Sequence, residues 1–204
     1  MLEIAFYIAV TAEAMTAALA AGRRKMDWFG VCLLACVTAQ GGGTIRDIFL
    51  AHYPLFWVKN PYVLLLVCGA ALLTIAIARV VHRLHWPFLL LDALGLVVFT
   101  IVGCNIGLEM GVHPIIVLVA GMVTGIFGGV LRDVLCNDVP LVFRAELYAS
   151  VSIVTGALYY FGLMAGLHAD LVVSGAIAIG FLLRVLAIVN RWEMPKFVYD
   201  RDLR

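Results

Sequence analysis

The chain has 204 residues, of which 64% are hydrophobic and 13% charged, with a formal net charge of +1 at pH 7 and a mean hydropathy of +1.07. A soluble domain carries roughly 25% charged residues, so the composition excludes an ordinary soluble protein. It points instead to an all-α integral membrane protein whose apolar segments of about 20 residues cross the bilayer as helices. With no basic stripe interleaved with aromatics, the sequence offers nothing to nucleic acid.

Taken in chain order, the first predicted span covers residues 3–21, and its start, MLEIAFYIAV, lacks the basic region and cleavage site of a signal peptide, so it reads as a retained helix. Glu13 and Thr16 fall near its middle, where a carboxylate must face water, find a partner or take a proton. The span stops at Gly22-Arg23-Arg24-Lys25. Asp27 can cap the second, residues 27–48, which contains Thr38 and ends in GGGTIRD, residues 41–47. Asn60-Pro61 opens the third span, 61–80, and Asp92 stands at the entrance to the fourth, 88–108, as a cap or as the border of a vestibule. His113-Pro114 opens the fifth, 114–135, which holds Thr124 and ends in FGGVLRD; Asn137-Asp138 makes the following turn. A sixth span at 146–163 and a seventh at 170–189, capped by Asp170, complete the set.

Lysine and arginine favour cytoplasmic flanks. With the first loop cytoplasmic, that side receives Arg23, Arg24, Lys25, Arg79, Arg83, Arg132, Arg144, Arg184, Arg191, Lys196, Arg201 and Arg204, twelve in all, against Arg46 and Lys59 opposite. An external N-terminus and a cytoplasmic C-terminus follow.

Sliding the sequence by 86 residues brings Gly42 onto Gly128, Gly43 onto Gly129, Arg46 onto Arg132, Asp47 onto Asp133, Pro54 onto Pro140 and Leu55 onto Leu141. The matches argue for duplication, with repeats at about residues 1–85 and 87–165. A seventh helix at about 168–190 and a short cytoplasmic tail at 191–204 complete a single transmembrane domain spanning 1–204. Three crossings per repeat make the copies antiparallel, an inverted 3+3+1 plan common in transporters.

Glycine has no side chain to cover its carbonyls, so Gly41-Gly42-Gly43 and Gly128-Gly129 are expected to bend or open their helices inside protein or along water. On this reading exposed carbonyls contact a cation while Arg46 and Arg132 limit its passage. The competing reading is packing: Gly103, Gly107, Gly121 and Gly125 have small-residue spacing. Adjacent Arg and Asp point about 100° apart on a helix and need not pair, so each serves equally as a structural pin. Thr16, Thr38, Thr100 and Thr124 suit a wet interior, or bond to preceding helical carbonyls. Catalysis has little support, because the five histidines lie near predicted ends or loops and form no HExxH. Cys32, Cys36, Cys68, Cys104 and Cys136 read as small buried thiols; no cofactor and no tightly bound metal are expected.

GGGTIRD, GGVLRD, the seven spans and DALGLVVFTIVG at residues 92–103 together resemble the prokaryotic branch of the trimeric intracellular cation (TRIC) channel family. The resemblance implies a homotrimer in the prokaryotic inner membrane, in contact with lipid. It also implies monovalent cation conduction, chiefly of potassium, through a pathway inside each protomer. Gly41, Gly42, Gly43, Arg46 and Asp47 match its first motif and Gly128, Gly129, Arg132 and Asp133 its second; Glu13, Thr16, Thr38, Asp92, Thr100 and Thr124 are weaker candidates. Animal members bind an inositol phospholipid near a lysine for which the glycine-rich segment here has no equivalent. A small amino acid transporter and a structural membrane protein are the alternatives.

Overall fold

The computed structural model describes residues 1–78, 85–144 and 147–192. The expected end of the third span at 79–80, the start of the sixth at 146, the tail at 193–204, and Arg79, Arg83, Lys196, Arg201 and Arg204 lie outside them, as does the side chain of Arg144.

Nine helices occur among the described residues: α1 Leu2–Arg23, α2 Trp28–Leu50, α3 Phe56–Lys59, α4 Tyr62–Ala78, α5 His85–Glu109, α6 Pro114–Leu135, α7 Leu141–Arg144, α8 Tyr148–Met164 and α9 Ala169–Asn190. Five of them, α1, α2, α5, α6 and α9, are long and apolar enough to cross a membrane, while α4 and α8 are shorter apolar helices. The four-residue helices α3 and α7 have no counterpart in the sequence reading, since one turn carries no periodicity to detect.

Local chemistry sets the ends. Asp27 accepts a hydrogen bond from Gly30 N at 2.7 Å and caps α2, while Pro114 occupies the first turn of α6 behind His113. Asp170, the expected cap of the last span, lies inside the first turn, and His168 holds the cap position. Asp92 is likewise no cap: α5 begins at His85, so Asp92 sits past its first turn and is fully buried.

The ends of α2 and α6 are built alike. Ala51 and Asn137 take left-handed backbone angles, φ 51° and 55°, and His52 N and Asp138 N donate to Asp47 O and Asp133 O, both at 2.8 Å. Each turn leads through a proline to a short helix. These pairs again stand 86 residues apart.

Both glycine-bearing helices run unbroken, α2 through Gly41-Gly42-Gly43 and α6 through Gly128-Gly129. The expected opening does not occur: both segments keep continuous helix, and the side-chain-free faces of Gly42 and Gly128 pack against the facing helix. A Cβ at Gly42 would collide with Thr124 O, and one at Gly128 with Thr38 O, so the two backbones cross in direct contact. The same device brings α5 onto α6, where a Cβ on Gly103 would lie 2.8 Å from Gly121 Cα and one on Gly125 2.7 Å from Leu96 O. Around this crossing, α1, α2 and α4 bury an Ala- and Val-rich core that includes Ala14, Ala35 and Val67.

Candidate functional site

One turn beyond each crossing glycine lies a buried arginine. Arg46 and Arg132 are 3% and 0% exposed, and the α6 segment from Thr124, which meets Arg46, to Arg132 rises about 12 Å at 1.5 Å per residue. The two guanidinium groups therefore occupy opposite sides of the helix crossing.

At the first centre, Arg46 Nε and Nη2 donate to Asp47 Oδ1 at 3.0 and 2.7 Å, and Nη1 reaches Thr124 Oγ1 at 3.3 Å. His52 Nδ1 lies 3.0 Å from the same Asp47 oxygen. The guanidinium lines a cavity of about 370 Å³ together with Gln40, Gly43, Thr124, Asn105 and an aromatic wall that includes Phe6 and Phe99. Of the residues predicted from the sequence, Gly43, Arg46 and Thr124 line this cavity.

The second centre is closed and more acidic. Arg132 Nε donates to Asp133 Oδ1 at 2.9 Å, and Nη1 donates to Asp92 Oδ1 at 2.8 Å and to Thr16 Oγ1 at 3.1 Å. Glu13 Oε2 stands 3.8 Å from Nη1 and 3.0 Å from the Thr16 hydroxyl, which bridges the two. Asp133 Oδ2 accepts from Leu141 N at 3.0 Å and so ties the centre to α7. Gly95 makes room for Glu13, since a Cβ there would fall on its carboxylate. Gly129 lies beside the guanidinium, the place for its Cβ being 3.6 Å from Arg132 Nη2. Among the described residues, Asp92 Oδ2 and Arg132 Nη2 are buried without a hydrogen-bond partner. Unmade bonds of this kind are costly in a low-dielectric interior.

Of the two arrangements the sequence left open, the structure has each Arg paired with the Asp that follows it. The long guanidinium arm spans the angular offset by folding along the helix surface, and burial removes water as a competitor. Two threonines fall outside both centres: Thr38 bonds back to Leu34 O at 2.8 Å, and Thr100 to Leu96 O and Ser152 Oγ, both at 2.7 Å. Gly41 faces Leu131, a packing role.

The sequence reading missed several groups. Phe88 lies between two cations, its ring 4.5 Å from Arg23 Cζ and 4.7 Å from Arg132 Cζ, and covers the second centre. Arg184, expected at a cytoplasmic flank, is fully buried and stacks on Tyr148 at 4.7 Å; its place in the apolar run LLRVL was the available signal. The buried Gln40 and the aromatic Phe88 carry no comparable signature. The repeat explains why the centres differ: 86 residues on from Glu13 stands Phe99, and 86 back from Asp92 stands Phe6, with ring centroids 6.0 Å apart. Carboxylates at one centre are replaced by phenyl rings at the other.

Fold and site define an all-helical membrane protein with two buried arginine–carboxylate centres and a cavity at one of them. A family model described as Glycine transporter matches residues 3–79 and 89–164. The UPF0126 inner membrane protein YadS of Escherichia coli K12 is 37% identical over 195 residues, covering 94% of this chain and 93% of that protein. The crystal structure of the TRIC trimeric intracellular cation channel orthologue from Rhodobacter sphaeroides matches with a TM-score of 0.88 and 34% identity, over 92% of this chain and 97% of that one. A prokaryotic TRIC channel in 0.5 M KCl matches with a TM-score of 0.87 and 32% identity, over 95% and 98%. The chain belongs to the prokaryotic TRIC channel family.

Proposed function

We propose that the protein is a passive cation channel, chiefly permeable to potassium, with a pathway inside each protomer that passes the Arg46 and Arg132 centres. The observation that carries this reading is the pair of buried guanidinium groups on opposite sides of one helix crossing, one lining a cavity and the other sealed under Phe88. Ionisable groups within membrane helices face a bundle interior or an aqueous path. At the Arg132 centre Glu13, Asp92 and Asp133 outnumber the single guanidinium they surround, a balance that attracts a cation. The sealed centre represents the closed pathway, and loosening of the Phe88 lid opens it.

Reciprocal contacts support inverted repeats. Gly42 meets Thr124 O as Gly128 meets Thr38 O, and adding 86 to one member of each pair while subtracting it from the other exchanges the two contacts. The two stretches matched by the family model also begin 86 residues apart. With α4 and α8 counted as crossings, each at the short end of the spanning range, the chain has seven spans in a 3+3+1 order, two repeats and one domain. Because Arg132, Arg184 and Arg46 are buried, the flank count becomes ten against one, which supports an external N-terminus and a cytoplasmic C-terminus in the inner membrane. Assembly as a homotrimer is supported by the Rhodobacter sphaeroides relative, which is named as a trimeric cation channel; potassium preference rests on the resemblance of the glycine and Arg-Asp motifs alone.

A second reading, small amino acid transport, is favoured by the cavity beside Arg46, whose volume suits a small zwitterion, and by the description of the matching family model. Purified protein in potassium-loaded vesicles separates the two. Channel activity predicts potassium efflux that follows the imposed voltage; saturable glycine uptake without such efflux overturns it in favour of transport.

A further inference from the structure

Three thiols lie apart from both arginine centres. Cys32 and Cys36 stand one turn apart on α2, and Cys68 faces them from α4 with its Sγ 3.7 Å from Cys36 Sγ. Cys32 also interacts with Cys68, and all three are free. Their surroundings are outward and apolar. Phe29 and Leu33 precede Cys32 and Cys36 by three residues, Leu65 and Leu72 flank Cys68, and all four are exposed.

We propose that Cys36 and Cys68 form a reversible dithiol site that a lipid-soluble quinone oxidises to a disulfide, fixing α2 to α4. A disulfide holds its sulfurs about 2.05 Å apart, so the pair, at 3.7 Å, must close by roughly 1.7 Å. In the reaction both S–H bonds break and one S–S bond forms. Two electrons and two protons pass to the quinone, which leaves as the quinol. The apolar setting selects a hydrophobic oxidant over a water-soluble one, because the thiols sit among exposed leucines and phenylalanine within the spans. Restraint of α2 matters because this helix carries Gly42, which seats the crossing, and Arg46.

The test uses the full chain in lipid vesicles, treated with decylubiquinone, then alkylated and mapped by peptide mass. Titratable thiols are expected to fall from five to three. A linked pair of peptides containing Cys36 and Cys68, two hydrogens lighter than its parts, is expected to appear and to separate again with dithiothreitol. Cys36→Ala and Cys68→Ala are each expected to keep all their remaining thiols. They act from different helices, so poor folding of one leaves the other to decide. Persistence of five thiols, cross-links between copies of the chain, or a link from Cys68 to Cys32 in place of Cys36 overturns the proposal.

Discussion

Arg132 is held by more partners than Arg46, and the difference fixes what their removal costs. Replacing Arg132 by methionine leaves Glu13, Asp92 and Asp133 buried around an apolar side chain, a loss of about 3–5 kcal/mol for a broken buried ion pair. Arg46→Met leaves Asp47 with His52 as a partner, and the replaced side chain itself borders a cavity, so the loss is smaller. Thermal unfolding in detergent, followed by tryptophan fluorescence, is expected to rank Arg132→Met well below Arg46→Met; equal midpoints contradict the assignment. At this scale the sequence was informative about which charges are buried inside the helices and poor on their partners. Arg46, Asp47, Arg132, Asp133 and Glu13 stood out as charges in apolar runs. The Arg–Asp neighbour pairing depends on side-chain rotamers, and Phe88 looks like any other core phenylalanine.

Helices α2 and α6 owe their close crossing to glycine, and a methyl group is enough to test it. Gly42→Ala and Gly128→Ala each place a Cβ on a backbone carbonyl oxygen that cannot rotate away, and overpacking of this kind costs about 1–3 kcal/mol. Gly69→Ala on α4 meets nothing within 4 Å, so it is expected to be neutral or to stabilise by up to about 1 kcal/mol. Comparison of unfolding midpoints for the three variants checks this; a Gly42→Ala protein as stable as Gly69→Ala contradicts the contact. The long helices were legible because their apolar runs end in Gly, Pro and charge. Opening at the glycines was expected from backbone freedom alone, but Gly42 and Gly128 pack their bare faces on Thr124 O and Thr38 O of the facing helix, and both helices stay continuous. The start of α5 was misplaced by three residues, enough to turn Asp92 from a buried ion-pair partner into an apparent cap.

For the whole molecule, the 86-residue offset reaches from sequence into geometry: the left-handed turns at Ala51 and Asn137 and the reciprocal glycine contacts obey it, and the short helices after each proline follow it to within one residue. Assembly is not legible in the chain, because exposed apolar side chains such as Phe49, Phe143 and Leu171 serve lipid and a partner subunit equally well. Native mass measurement in lipid particles is expected to find three chains, whereas an active monomer contradicts the trimer and leaves a pathway within one protomer intact. That pathway is the central claim, and single-channel recording of wild type beside Arg46→Gln tests it most directly. Potassium currents are expected in the wild type and altered conductance or gating in the folded variant, since the guanidinium lines the cavity. A silent wild type at both polarities, or identical currents in the two proteins, contradicts it.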